Sequence, residues 1–260
     1  MELDIIVILS IVAFLAGFFD AIAGGGGLIT LPAIFLAGID PISAIATNKF
    51  QAASATVSAT VAFARKGLIE WRQGRILVLF SMIGCALGAL FVSSIDQKWL
   101  VAAVPILLVL VAIYFALSPK LDEGSGKRRV SFLLFALVVA PILGFYDGVF
   151  GPGVGSFFMV SFVFLGGLGI MRAISFTKLA NASCNLGSLA IFITKGLIIW
   201  PLAISMAVSS ALGAQFGARY AIKVGPRIIK PMLIIVCTAL AIKLFSNDDN
   251  PLKIMLLGMI

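Results

Sequence analysis

Residues 17–27 read GFFDAIAGGGG, and residues 144–154 read GFYDGVFGPGV. The two stretches align with Asp20 over Asp147, Gly24 over Gly151 and Gly26 over Gly153. Each lies inside an apolar run, where a carboxylate is expensive and clustered glycines break a helix. The correspondence continues downstream, with KFQAASATVSATVAFARKGLIEW (49–71) over KLANASCNLGSLAIFITKGLIIW (178–200). Lys49 thus recurs as Lys178 and Trp71 as Trp200, while Gly84 and Gly88 return as Gly213 and Gly217. The chain reads as one duplicated unit: residues 1–117 and 131–250, a polar linker at 118–130, and a C-terminal tail at 251–260.

Composition decides the class. Hydrophobic residues make up 61% of the 260 and charged residues 12%, against about 25% charged in a soluble domain. Stretches such as ILVLFSMIGCALGALFVS (76–93) carry no charge and are long enough to cross a bilayer. Period-two alternation is missing, so the spans are helices and not barrel strands. The N-terminus, MELDIIVILS, lacks the basic start of a signal peptide, so its apolar run is expected to stay as the first helix. The net charge of +8 sits in short loops between spans, which points to topology and not to nucleic acid. Cys85, Cys184 and Cys237 fall in apolar spans without metal-ligand spacing and read as small core residues. No metal or other cofactor is expected. Histidine is absent, which removes Ser-His and Cys-His catalysis and His-based zinc sites, so an enzyme is not expected.

Loop charges set the relation between the halves. After the lysine-bearing helix, the first half carries Arg65, Lys66, Arg72 and Arg75, the second only Lys195. One loop later the bias reverses, with Lys98 alone in the first half against Arg219, Lys223, Arg227 and Lys230 in the second. Equivalent loops prefer opposite faces, so the repeats are inverted. Threading the chain on this rule places the linker in the cytoplasm and both termini outside the inner membrane. The parity requires each glycine motif to turn the chain back, pairing 5–22 with 28–38 and 131–150 with 155–168. The fold class is an all-α polytopic membrane protein of two inverted repeats, each a Gly-tipped broken-helix hairpin followed by three spanning helices. The return arms are about 16–21 Å long at helical rise, which brings the two tips together near mid-membrane.

The tips and the helices beside them hold the candidate site. Glycines at 24, 25, 26 and 27 and at 151, 153 and 155 sit where a return helix begins, with its free N–H groups and positive dipole end. They suit either an anion or close helix packing. Lys49 lies among Asn48 and Gln51, and Lys178 among Thr177, Asn181 and Asn185. These are candidate substrate ligands, although each lysine can also snorkel or pair structurally with an aspartate. Asp20 and Asp147 end inbound helices, where the dipole disfavours a carboxylate. Proton carrier, sodium ligand and partner of a lysine are the open roles.

GFFDAIAGGGGLITLPAI (17–34), followed by AIATNKFQA (44–52), resembles the TauE/SafE sulfite exporters, also called 4-toluene sulfonate uptake permeases. GFYDGVFGPGVGSF (144–157) and TKLANASCN (177–185) resemble the companion motif of that family, and the likeness covers essentially the whole chain. Within the family the chain looks most like bacterial inner-membrane members described only as probable transporters. The resemblance implies transport of small sulfur-containing or other organic anions such as sulfite, thiosulfate, sulfoacetate and sulfonates. With the residues above, it yields a secondary transporter whose partners are a small anion, a coupling proton or sodium, and the bilayer. An anion channel of the same architecture is the alternative. Pro152 and Val154 stand where the first motif has glycines, so unequal tips are expected.

Overall fold

The computed structural model describes residues 3–95 and 128–224. The third spanning helix expected in each half, residues 118–127 of the linker, Lys98, Arg227, Lys230, Cys237 and the 251–260 tail lie outside the described residues. Among the described residues the regular elements are all helical. They are α1 (Leu3–Ala23), α2 (Gly27–Leu36), α3 (Pro41–Arg65) and α4 (Trp71–Val92). The second series is α5 (Phe132–Val149), α6 (Val154–Phe164), α7 (Ile170–Thr194) and α8 (Trp200–Val224).

Length and polarity sort these helices. α1, α4, α5 and α8 are long and apolar enough to span a membrane. α2 and α6, at 10 and 11 residues, reach only about 15–17 Å. α3 and α7 have 25 residues each but carry the lysines and amides, and their polar faces are buried by the other helices. Asp40 starts α3 by accepting the Ser43 N–H at 3.0 Å, with Pro41 in the first turn, where a missing N–H costs nothing. Within α5, residues Phe135–Val139 widen into a π-helical turn just before Pro141, whose ring cannot fit a regular ladder.

The halves interlock by exchanging helices. α1 packs on α8, and its counterpart α5 packs on α4; α3 also packs on α8, α7 on α4, and α3 on α7. Lipid tails give no hydrophobic drive to such seams, so close backbone contact has to supply the attraction. Glycines make it available. A Cβ at Gly84 or Gly88 would strike the carbonyls of Pro141 and Phe145 on α5, and one at Gly213 or Gly217 those of Phe14 and Phe18 on α1. Outward, Leu79, Ile83 and Leu87 on α4 and Ile204, Val208, Leu212 and Phe216 on α8 form exposed stripes at four-residue spacing. In water such faces would aggregate; in a bilayer they meet acyl chains.

Candidate functional site

The first tip is closed by its own aspartate. α1 stops at Ala23 and α2 starts at Gly27, leaving Gly24 to Gly26 between them. The Asp20 carboxylate turns back over this break, and its Oδ1 accepts the N–H groups of Gly25 at 2.9 Å and Gly26 at 3.0 Å. Two donors that a helix start leaves unsatisfied are therefore taken, instead of waiting for a ligand. Gly26 must be small here, because a Cβ would come within 2.8 Å of the Asp20 Cβ.

The second tip is built differently. The break runs from Phe150 to Gly153, and the Tyr146 hydroxyl donates to the Pro152 carbonyl at 2.7 Å. The Asp147 carboxylate, beside Gly151, turns to side chains of the first half. One carboxylate oxygen meets the Lys49 ammonium at 2.7 Å and the other accepts the Cys85 thiol at 3.5 Å. The two tips touch each other: the Ser156 hydroxyl donates to the Gly24 carbonyl, and the backbones of Gly24 and Gly155 are in contact.

Both lysines pair across the halves. Lys49 of the first half reaches Asp147 of the second, and Lys178 of the second reaches Asp20 of the first at 3.4 Å while donating to the Asp20 main-chain carbonyl. Each lysine is 1% exposed, so a buried charge is matched by a buried partner, as low dielectric demands.

A pocket opens where these elements meet. Of the candidate residues, Asp20, Gly25, Gly27, Asn48, Lys49, Asp147, Gly151, Gly153, Gly155, Asn181 and Asn185 line it. Gly24, Gly26, Gln51, Thr177 and Lys178 do not; the first two pack the tips, and Lys178 is turned to Asp20. Gln51 Oε1 and Thr177 Oγ1 are buried without a hydrogen-bond partner among the described residues. The lining adds Ala52, Thr56 and Val154 to the candidates. Asn48, Ala52 and Thr56 recur every four residues, a helical stripe that spacing alone could have marked.

Hydrogen bonds orient the amides. The Thr30 hydroxyl donates to Asn48 Oδ1 at 2.5 Å, which leaves the Asn48 NH₂ group toward Gly27. Asn185 donates to Asn181 Oδ1 at 3.2 Å and so turns the Asn181 NH₂ group toward Gly155. The lining thus offers an ammonium and two amide donors, a set that suits an oxyanion. Cys85 and Cys184, far apart in sequence, bring their sulfurs within 4.8 Å of the Asp147 carboxylate. The Lys49 ammonium on that same carboxylate makes the cluster a poor host for a metal cation.

The profile of the sulfite exporter TauE/SafE family matches residues 9–244. The chain belongs to this family. It is 43% identical over 256 residues to the probable membrane transporter protein ORF9 of Sinorhizobium sp, covering 98% of both chains. Against the probable membrane transporter protein YfcA of Escherichia coli K12 it is 40% identical over 252 residues, or 97% of this chain and 94% of YfcA. A more distant relative, YdhB of Bacillus subtilis, is 24% identical over 240 residues. No solved structure matches the chain. It is therefore a multi-pass membrane transporter of the TauE/SafE family and not an enzyme, working on a small molecule within a lipid bilayer.

Proposed function

We propose that this TauE/SafE transporter is a secondary carrier of small sulfur-containing or other organic anions, in the sulfite and sulfonate class, coupled to protons. The observation that carries the reading is the cavity, where Lys49 and the amides of Asn48 and Asn181 face one buried space between the two tips. Its walls come from both halves, so relative movement of the halves would open the space to either side. The exchange of helices between residues 1–117 and 131–250 supports an inverted repeat, as does the reversed loop charge. In that arrangement the 118–130 linker is cytoplasmic, both termini are extracytoplasmic, and the protein sits in the inner membrane.

Charge supports the coupling. Asp20, Asp147, Lys49 and Lys178 sum to zero when ionised, so a bare anion would leave a net negative charge in a poorly hydrated centre. Proton uptake with the anion removes that cost. The test is flux into liposomes holding the purified protein, with sulfite, thiosulfate, sulfoacetate and methanesulfonate outside and a pH or sodium gradient imposed. Saturable, acid-stimulated uptake with counter-exchange is expected. Flux linear in concentration without exchange would make the protein a channel, and sodium-driven uptake indifferent to pH would replace the proton.

A further inference from the structure

We infer that the two buried lysine–aspartate pairs have different jobs: Lys49–Asp147 exchanges, Lys49 passing to the anion as Asp147 takes a proton, whereas Lys178–Asp20 is a strut that holds the first tip. The inference rests on the anion–proton reading above and divides its labour between the halves.

The division begins with one residue of sequence. Gly25 aligns with Pro152. Gly25 donates its N–H to Asp20, and proline has no N–H to give. Asp20 is accordingly bound by two backbone donors on one oxygen and by Lys178 on the other, and Lys178 also donates to the main-chain carbonyl of Asp20 in the last turn of α1. Protonating Asp20 would weaken the three contacts to its carboxylate at once. Asp147 has no such cap. Among the described residues its partners are the Lys49 ammonium and one thiol, and a thiol is a weak donor.

The cavity makes the same distinction. Both members of the Lys49–Asp147 pair line it, whereas of the other pair Asp20 does and Lys178 does not. Gly151 leaves the pair uncovered, since a Cβ there would sit 2.9 Å from Asp147 Oδ1 and 3.0 Å from Lys49 Nζ. An arriving oxyanion can therefore reach the ammonium. The ionisable groups facing Asp147 are Lys49 from α3, Cys85 from α4, Cys184 from α7 and, at the end of α1, Asp20. Among them Lys49 is the cation, so its transfer to an anion leaves Asp147 beside thiols and another carboxylate. A proton then binds the freed carboxylate to give the neutral acid, and no other bond forms or breaks. One proton accompanies one negative charge, and the loaded site stays neutral.

The experiment uses methanesulfonate, a monoanion whose own charge is constant over the pH range needed. For wild-type protein in liposomes, a one-unit inward pH gradient should support about tenfold accumulation, independent of membrane potential, because one proton moves per anion. Asp147→Asn should keep exchange of internal for external methanesulfonate at equal pH and lose the accumulation. The double variant Asp20→Asn/Lys178→Gln removes the other pair without stranding a buried charge, and should be slower yet still accumulate with acid outside. Cys85→Ala keeps both pairs and removes the thiol donor to the charged carboxylate, so the pH of half-maximal uptake should rise. Acid-driven accumulation that survives Asp147→Asn, or a Cys85→Ala profile that does not move, overturns the division while leaving the carrier reading intact. Wild-type protein that moves neither methanesulfonate nor sulfite overturns the carrier reading and this inference with it.

Discussion

Contact between the tips can be tested sterically against an internal control. Gly24 has φ +71° and Gly38 has φ +78°, so alanine meets the same backbone penalty at either position. That penalty is about 1–2 kcal/mol for an L-residue in the left-handed region. Their surroundings differ. Nothing lies within 4 Å of a Cβ at Gly38, whereas one at Gly24 would lie 2.7 Å from the Gly155 Cα. Ordinary contact begins at 3.4 Å, so the tips would have to part by about 0.7 Å. Overpacking of this kind costs roughly 1–3 kcal/mol more. Gly155→Ala approaches the contact from the other side, 2.7 Å from the Gly24 Cα, and carries no positive-φ penalty. Methanesulfonate exchange in liposomes and thermal melting in detergent then separate the terms. Gly38→Ala should lower the melting temperature slightly and keep exchange. Gly155→Ala should abolish exchange, and Gly24→Ala should do so while melting lowest, because both costs act there. Full exchange by Gly155→Ala would refute the claim that the tips must touch.

A reporter fused after Asn247 should read as extracytoplasmic and one fused within 121–129 as cytoplasmic; finding both in the cytoplasm would end the inverted arrangement. Asn181→Ala removes an amide donor beside Gly155. Anion affinity, measured by thermal shift against sulfite, should weaken roughly five- to tenfold, the worth of about one hydrogen bond, and the acid dependence of uptake should stay. Gly217→Leu would drive a side chain into the Phe18 carbonyl and unseat α1 from α8. Folded yield after detergent extraction should collapse, and wild-type yield would mean the seam tolerates separation.

Patterns that act along the chain were open to reading from the sequence. Apolar run length, the scarcity of charge and the doubled glycine motif announced the membrane class and put helix breaks at 23–27 and 151–154, within a residue or so of those in the structure, because spanning length and glycine's low helix propensity act locally. The candidates Lys49, Asn48, Asn181 and Asp147 also stood out, since polar groups in apolar segments are costly wherever they point. Which carboxylate each lysine meets was decided only by the tertiary structure. The pairs run from one half to the other: Lys49 on α3 reaches Asp147 on α5, and Lys178 on α7 reaches Asp20 on α1, where α3 and α7 pack on each other across the halves. The same packing put Cys85 and Cys184 beside Asp147, from positions whose spacing carries no motif. It also showed which tip glycines line the pocket and which press on a neighbour, with Gly155 doing both. Pro152 was visible from the start as a departure from the first motif, but its consequence was not. A missing N–H matters only once the fold shows that its counterpart at Gly25 is holding a carboxylate in place.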